Sequence, residues 1–300
     1  MPPRSSELPA PADRAPAAGP EAEAVPPGQG PSAPDPGGTV TPMPADIPRV
    51  PWSELAPEFI SAWGYPDGRF DPEHVEILGP SGSGKTVFEE TILTERAAAR
   101  DSAIVFVATK SSDKQIQALH GCGWPIVTDW GGVEQHKQCV FWPQTRALGR
   151  GRREYLAGKI DDLLSRLWHK ESHTVVAFDE IKTIEGLSPE TAELIAMWWR
   201  EARSVGNTIV AMKQRPQGIQ RDMHSETSWV VSFRPKDEDD GKRYAELFGS
   251  RSYYLPVLMN LDRSNYEFLI QDVKNNTAVI SWIDVPLEPL PKKHYQARRY

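Results

Sequence analysis

Residues 79–86 have the residue types and the spacing of a site for phosphate chemistry. They match the pattern G-x-x-x-x-G-K-[ST] without a mismatch. Glycines let the backbone curl so that its N–H groups point at phosphate oxygens. Lys85 then reaches the β- and γ-phosphates, and the Thr86 hydroxyl is a ligand for Mg2+. We predict that a nucleoside triphosphate binds this segment, the P-loop, whose residues are Gly79, Pro80, Ser81, Gly82, Ser83, Gly84, Lys85 and Thr86.

An acidic pair follows a second informative run. Asp179 and Glu180 come directly after the apolar residues 174–178, which are typical of a buried strand. At the carboxyl end of that strand Asp179 can hold Mg2+, and Glu180 is placed to polarise an attacking water. A glutamate there favours an ATPase over a GTPase, and the sequence has no Asn-Lys-x-Asp motif for reading guanine. The predicted cofactors are therefore ATP and Mg2+.

Polar side chains also surround the predicted strand 207–212. Gln214 follows it, on the edge where the triphosphate is expected, and can orient water or sense the γ-phosphate. A polar strand end without catalytic function has the same signature. Arg200 and Arg203 lie three residues apart, so they share one helix face. They are candidates for stabilising negative charge, with surface ion pairs as the alternative.

The elements that must position these residues alternate along the chain. Apolar, β-branched runs predict strands at 74–78, 103–109, 125–128, 138–142, 174–178, 207–212 and 228–233, followed by a hairpin of 266–271 and 277–282. Helices are predicted at 87–100, at 154–169 and from an N-cap at Ser188 to Gly206. This order predicts an α/β fold, a three-layer sandwich with a mostly parallel sheet.

Together these motifs resemble the FtsK/HerA superfamily, the RecA-like P-loop motor ATPases that translocate DNA. The features that carry the resemblance are the P-loop, the acidic pair, the arginine-bearing helix that ends in Gly206, and the strand followed by Gln214-Arg215-Pro216. They lie between roughly residues 70 and 250. The superfamily includes phage packaging ATPases and conjugative coupling proteins.

The resemblance implies a role for each matching residue. Lys85 and Thr86 would hold phosphate and Mg2+, and Asp179 would belong to the metal shell. Glu180 would be the catalytic base and Gln214 the sensor. Because family members work as hexameric rings, an arginine would reach the nucleotide of the neighbouring subunit. Arg203 is the first candidate for this arginine, before Arg200 and Arg215.

Two departures from the family pattern are visible. The chain has neither the membrane domain nor the winged helix of larger translocases, and Met212-Lys213 stands where Ala-Thr is expected. The size favours a minimal motor of a phage or mobile element. It would be cytoplasmic, or associated with the virion if it is encoded by a phage.

Composition divides the 300 residues into three parts. Fourteen of the 28 prolines precede residue 50, so we predict a disordered tail at 1–47, an ATPase domain at 48–285 and a basic, aromatic tail at 286–300.

The net charge of −7 excludes a generally basic coat for nucleic acid. No run approaches the ~18 apolar residues of a membrane span. Cys122 and Cys139 fit no metal spacing and indicate reduced thiols.

Two basic segments could contact DNA, which we expect to be double-stranded. Residues 149–153, with Arg146 and Trp142 nearby, are interpreted as a loop along a phosphate backbone, as the lid of a kinase, or as a solvated loop. In residues 292–300 cations alternate with aromatics. This pattern suits stacking on single-stranded DNA, and a plain basic tail has it as well. Trp198 and Trp199 are expected in the core or in a subunit interface.

Three functions are therefore considered. The preferred hypothesis is an ATP-hydrolysing motor that translocates or packages DNA as a homo-oligomeric ring. The alternatives are a small-molecule or nucleotide kinase, and a switch in which bound ATP controls a protein partner through the N-terminal tail.

Overall fold

The computed structural model describes residues 47–65, 70–100, 102–110, 114–214 and 225–284. The predicted N-terminal tail up to residue 46, the predicted C-terminal tail and Arg215 lie outside these ranges.

One sheet of nine strands organises the described residues, in the spatial order β3-β4-β2-β5-β6-β1-β7-β8-β9. Neighbouring strands from β3 to β7 are parallel, and β8 and β9 are antiparallel to their neighbours. The predicted mostly parallel sheet with an edge hairpin is confirmed. The strands are β1 (His74–Leu78), β2 (Ala103–Val107), β3 (Ile126–Val127), β4 (Gln138–Phe141), β5 (Thr174–Phe178), β6 (Thr208–Lys213), β7 (Thr227–Phe233), β8 (Phe268–Asp272) and β9 (Thr277–Ser281).

The first helix precedes the first strand, most other helices occupy connections between strands, and some of their ends lie where the sequence signals them. Ser188 caps a helix by accepting the Thr191 N–H, and Gly206 ends the following 3-10 turn with φ of 87°. The helices are α1 (Trp52–Ala62), α2 (Lys85–Ala99), α3 (Lys114–Gly121), α4 (Trp130–Glu134), α5 (Gly149–Leu167), α6 (Ile181–Glu185), α7 (Pro189–Glu201), α8 (Glu238–Leu247) and α9 (Arg251–Met259), with the 3-10 turn Ala202–Val205 continuing α7.

The core lies on both faces of the sheet because successive strand residues point to opposite sides. Ile104 and Phe106 of β2 pack with α1, α2 and α3, whereas Val105 and Val107 pack with α5, α6 and α7. Helices α8 and α9 cover β7 and β8 on the second of these faces. The predicted three-layer sandwich is confirmed. Trp198 and Trp199 are fully buried in its core.

The outer side of β9 is paired within the chain. Arg49 and Ile280 form a parallel bridge. The Val50 N–H donates to the Ile280 carbonyl at 2.9 Å, and the Ile280 N–H donates to the Pro48 carbonyl at 2.9 Å. Residues 48–50 therefore cover this edge of the sheet.

A buried ion pair lies in the middle of the sheet. Lys213 Nζ is 2.7 Å from Glu76 Oε1, and both side chains are 0% exposed. The ammonium also lies 5.5 Å from the centre of the Trp199 ring. The departure from the family pattern at Met212-Lys213 has a structural reason, because Lys213 neutralises a carboxylate of the neighbouring strand β1.

Removal of one member of this pair should be strongly destabilising. We expect Lys213→Met to lower the free energy of unfolding by about 3–5 kcal/mol, because it leaves Glu76 charged and buried. The double variant Lys213→Met/Glu76→Leu should recover most of that loss, since no buried charge is left. Urea unfolding of wild type and both variants measures the difference. A double variant no more stable than the single one would contradict this account.

His74 begins β1 on the same face of the sheet. Its Nδ1 accepts the Ile209 N–H at 3.0 Å, and its ring packs edge-on against Trp199 at 5.2 Å. Complete burial lowers the pKa of His74 to about 3, and the nearby Arg203 guanidinium acts in the same direction. The folded protein therefore holds a neutral imidazole at this position.

This burial predicts a pH dependence of stability. Between pH 6.5 and about 3, the unfolded chain binds a proton at His74 that the folded chain does not. The stability that depends on neutral His74 is thus complete above pH 6.5 and is lost on acidification, with a slope of about 1.4 kcal/mol per pH unit. His74→Gln, whose amide oxygen can still accept from Ile209, should remove that slope from unfolding free energies measured at several pH values. Parallel curves for the two proteins would mean that folded His74 is protonated.

Candidate nucleotide site

The P-loop connects β1 to α2 at the carboxyl edge of the sheet. Gly84 has φ of 100° and sits at the N-cap of α2. A Cβ at this position would lie 3.2 Å from the Phe233 ring and 3.3 Å from Tyr266. The Lys85 ammonium donates to the Pro80 carbonyl at 2.7 Å, so it lies inside the turn of the loop. The loop therefore combines a conformation that favours glycine with an enclosed cation at a helix N-terminus, where the helix dipole also favours anions.

Lys85 lies close to the acidic pair. Burial lowers the pKa of Lys85 to about 8. The carboxylates of Glu180, Glu89 and Asp179 act in the opposite direction, and the Lys110 ammonium adds to the lowering. The structure thus brings the P-loop lysine and the Asp179-Glu180 pair into one electrostatic environment, as the sequence predicts.

Asp179 and Glu180 lie where β5 ends. Asp179 is 5% exposed at its side chain, and its two oxygens lie 3.0 and 2.9 Å from Lys110 Nζ. Glu180 is the N-cap residue of α6 and is half-buried. A short turn between a buried strand and a helix therefore exposes Glu180 more than Asp179 at the same edge.

Gln214 lies between the P-loop and the acidic pair. It follows β6, which is hydrogen-bonded to β1 on one side and to β5 on the other. The Gly79 N–H donates to the Lys213 carbonyl at 3.2 Å, so the residue next to Gln214 contacts the start of the P-loop directly. The Tyr244 hydroxyl donates to the Gln214 carbonyl at 3.1 Å.

A pocket of about 510 Å³ opens beside the P-loop. It is lined by the crest of the loop, residues 80–83, and by Gln214, Arg234, Lys236, Asp240, Arg263, Tyr266 and Glu267. Tyr266 has φ of 53°, which a strand does not allow, and β8 begins two residues later than predicted. The pocket lies on the β7 side of the loop, and the acidic pair lies on the β6 side.

Sequence reasoning did not assign Arg234, Lys236, Arg263, Tyr266 or Lys110 to the site. A signal was present for some of them, because Lys110 and Arg234 closely follow parallel strands and so reach the edge that carries the P-loop. Tyr266 reaches the same edge because β8 runs antiparallel to β7. What the sequence lacks is the order of the strands, which decides which strand ends are neighbours.

Arg203 lies at the opposite, amino edge of the sheet. Its guanidinium is 3.1 Å from Asp71, which precedes β1. Arg200 is exposed near the end of α7. Neither arginine joins the P-loop of its own chain, so a contribution from either to nucleotide chemistry remains a prediction about a neighbouring subunit.

The interpretation of residues 149–153 as a loop is wrong. They form the first turns of α5, because arginines have good helix propensity and an apolar helical period begins at Leu156. Arg150 pairs with Glu154 at 2.6 Å, one helical turn away. Arg152 donates to the Thr109 carbonyl at 2.6 Å, which places this basic helix start beside the end of β2.

The donor chemistry of the site fits Mg2+. The Thr86 hydroxyl and the Asp179 carboxylate are hard oxygen ligands, and the Lys110 ammonium already shows that this carboxylate attracts a cation. Within the described ranges, no group of three or more His, Cys, Asp or Glu side chains could hold a metal by itself. Among the helices of the described residues, none is long and apolar enough to cross a membrane.

Comparisons with known proteins support the fold. No protein-family model matches the chain, and no curated protein matches it in a sequence search. The genome packaging NTPase of Sulfolobus turreted icosahedral virus 2, with sulfate bound, is similar with a TM-score of 0.53 at 16% identity, covering 71% of this chain and 98% of that one.

Two further structures give similar values. The DNA-packaging ATPase of Sulfolobus turreted icosahedral virus has a TM-score of 0.52 at 15% identity, covering 72% of this chain and 100% of that one. EssC (ATPases 2 and 3) from Geobacillus thermodenitrificans has a TM-score of 0.50 at 14% identity, covering 74% of this chain and 41% of that one. These similarities confirm the predicted fold, which the chain shares with the viral packaging ATPases and with EssC.

Proposed function

We propose that this protein is an ATP-hydrolysing motor that moves DNA. The observation that carries the proposal is the meeting of the P-loop, Gln214 and the Asp179-Glu180 pair at adjacent strand ends of one sheet edge. A viral packaging NTPase with the same fold was solved with ATP-gammaS (TM-score 0.51). Because that protein is a genome packaging NTPase, we propose DNA as the cargo.

In this proposal the position of the pocket sets the orientation of the bound nucleotide. The phosphates of the nucleotide bind the P-loop N–H groups and Lys85. The terminal phosphate faces the acidic pair, and the nucleoside enters the pocket beside Tyr266. Mg2+, held by Thr86 and Asp179, would neutralise phosphate charge. Glu180 removes a proton from the attacking water, and Gln214 contacts the terminal phosphate region between the two motifs.

The start of α5 is the proposed contact for DNA phosphates within the described residues. Arg146, Arg150 and Arg153 are exposed there, and Arg152 links the same turn to the end of β2. Cations on a helix start next to the site could couple phosphate contacts to the nucleotide. The DNA-contact and kinase-lid interpretations both predicted a loop here, and the segment is helical.

Assembly into a ring is part of the proposal. Arg203 lies at the sheet edge away from its own P-loop and is paired with Asp71, so in this proposal the nucleotide of a neighbour would replace Asp71 as its partner. An arginine supplied in trans contributes about 10³–10⁵ to the rate in other NTPases. A hexamer, double-stranded DNA and an origin in a phage or mobile element complete the hypothesis.

ATP turnover with and without long double-stranded DNA tests the motor function. We expect DNA to stimulate turnover severalfold at low salt, where phosphate contacts are least screened. Glu180→Gln should lower turnover by at least about 10²-fold, because it removes the general base, while ATP binding remains. ATP turnover that DNA does not stimulate at any salt concentration would refute the motor function and leave an ATP-dependent switch as the explanation.

A pair of glycine variants tests the P-loop. Gly84→Ala combines a strained φ with contact to the Phe233 ring and Tyr266, so ATP affinity should fall at least about tenfold. Gly82→Ala is the matched control, since its φ is 76° but no atom lies within 4 Å of the added Cβ. Fluorescence titration with an ATP analogue measures both affinities. Equal affinities for the two variants would show that the packing around Gly84 does not shape the site.

A further inference from the structure

Lys110 contacts the carboxylate that is expected to hold the metal. Its ammonium lies within hydrogen-bond distance of both Asp179 oxygens, at 3.0 and 2.9 Å. The Asp179 side chain is 5% exposed, and Lys110 is 43% exposed. The lysine thus covers the solvent side of a nearly buried carboxylate.

The backbone at Lys110 is fixed although its side chain is half exposed. The Trp142 indole N–H donates to the Lys110 carbonyl at 2.7 Å, and Arg152 donates to the Thr109 carbonyl at 2.6 Å. A lysine has a flexible four-carbon stem beyond this fixed point. Its ammonium can therefore leave Asp179 without a movement of β2 or β5.

We propose that Lys110 is a tethered cation that occupies Asp179 before Mg2+ and must be displaced when the metal–nucleotide complex binds. This inference rests on the proposed ATP site and adds its regulation. The ammonium and Mg2+ compete for the same carboxylate, so binding of one weakens binding of the other. Lys110 then sets the concentration of Mg2+ at which nucleotide binds tightly, and acts as a positioning residue through Asp179.

The charge arrangement supports displacement of the ammonium. Lys110 and Lys85 repel each other, as the lowering of the Lys85 pKa by Lys110 indicates. An arriving triphosphate neutralises Lys85, and its metal replaces the positive charge of Lys110 at Asp179. Lys110 itself is half exposed, so its replacement should have a small effect on folding and variants at Lys110 are expected to fold.

The test titrates Mg2+ against the full-length chain in the presence of a fluorescent, non-hydrolysable ATP analogue. In Lys110→Met the concentration of Mg2+ that gives half-maximal binding should fall roughly three- to tenfold relative to wild type. Lys110→Arg keeps a cation at this position and should stay close to wild type. Lys110→Gln is a second neutral variant, and thermal melts establish that each variant is folded.

The outcomes separate this inference from the proposed function. An unchanged Mg2+ requirement in both neutral variants would overturn it and leave the ion pair as a structural contact. A higher requirement would also overturn it, because Lys110 would then assist nucleotide binding. If wild type does not bind the analogue at any Mg2+ concentration, the proposed ATP site is refuted together with this inference. If wild type binds the analogue and only the expected shift in the variants is missing, this inference alone is refuted.

Discussion

The insertion of β6 between β1 and β5 is the constraint on which the candidate site depends. Because the three strands are parallel, their carboxyl ends meet at one edge, and the residue after each strand faces the same solvent volume. The Glu76–Lys213 pair joins β1 to β6 below that edge, and both of its side chains are fully buried. The Gly79–Lys213 hydrogen bond continues the connection into the P-loop. The spacing between the loop and the acidic pair is therefore set by the width of one strand.

The electrostatics of the edge follow from this geometry. The side chains of Lys85 and Lys110 differ in how far they are enclosed. The Lys85 ammonium lies inside the P-loop, whereas the Lys110 side chain is half exposed on a fixed backbone. The Asp179 carboxylate stands between them, and buried Glu89, whose pKa burial raises well above its usual value, lies on the next turn of α2.

Much of the fold was predictable because the strands are short apolar runs and the turns carry their own residue signals. The P-loop spacing, the N-cap at Ser188 and the hairpin at the edge are local patterns that need no knowledge of tertiary structure. The helical start of α5 was missed because Gly149 and Gly151 suggest a loop, whereas helix packing from Leu156 onward decides the conformation. The Lys110–Asp179 contact was not predictable, since it joins ends of two strands that lie far apart in sequence. The same limit applies to the pocket beside Tyr266.

The pairing of residues 48–50 with β9 has a consequence for self-association. An unpaired edge strand is a template for the strands of other molecules, and proteins with such edges tend to aggregate. Here the backbone N–H and carbonyl of Ile280 are already bonded within the chain. Copies of this protein therefore cannot lengthen their sheets through Ile280, and among the described strands the other outer edge is the two-residue strand β3.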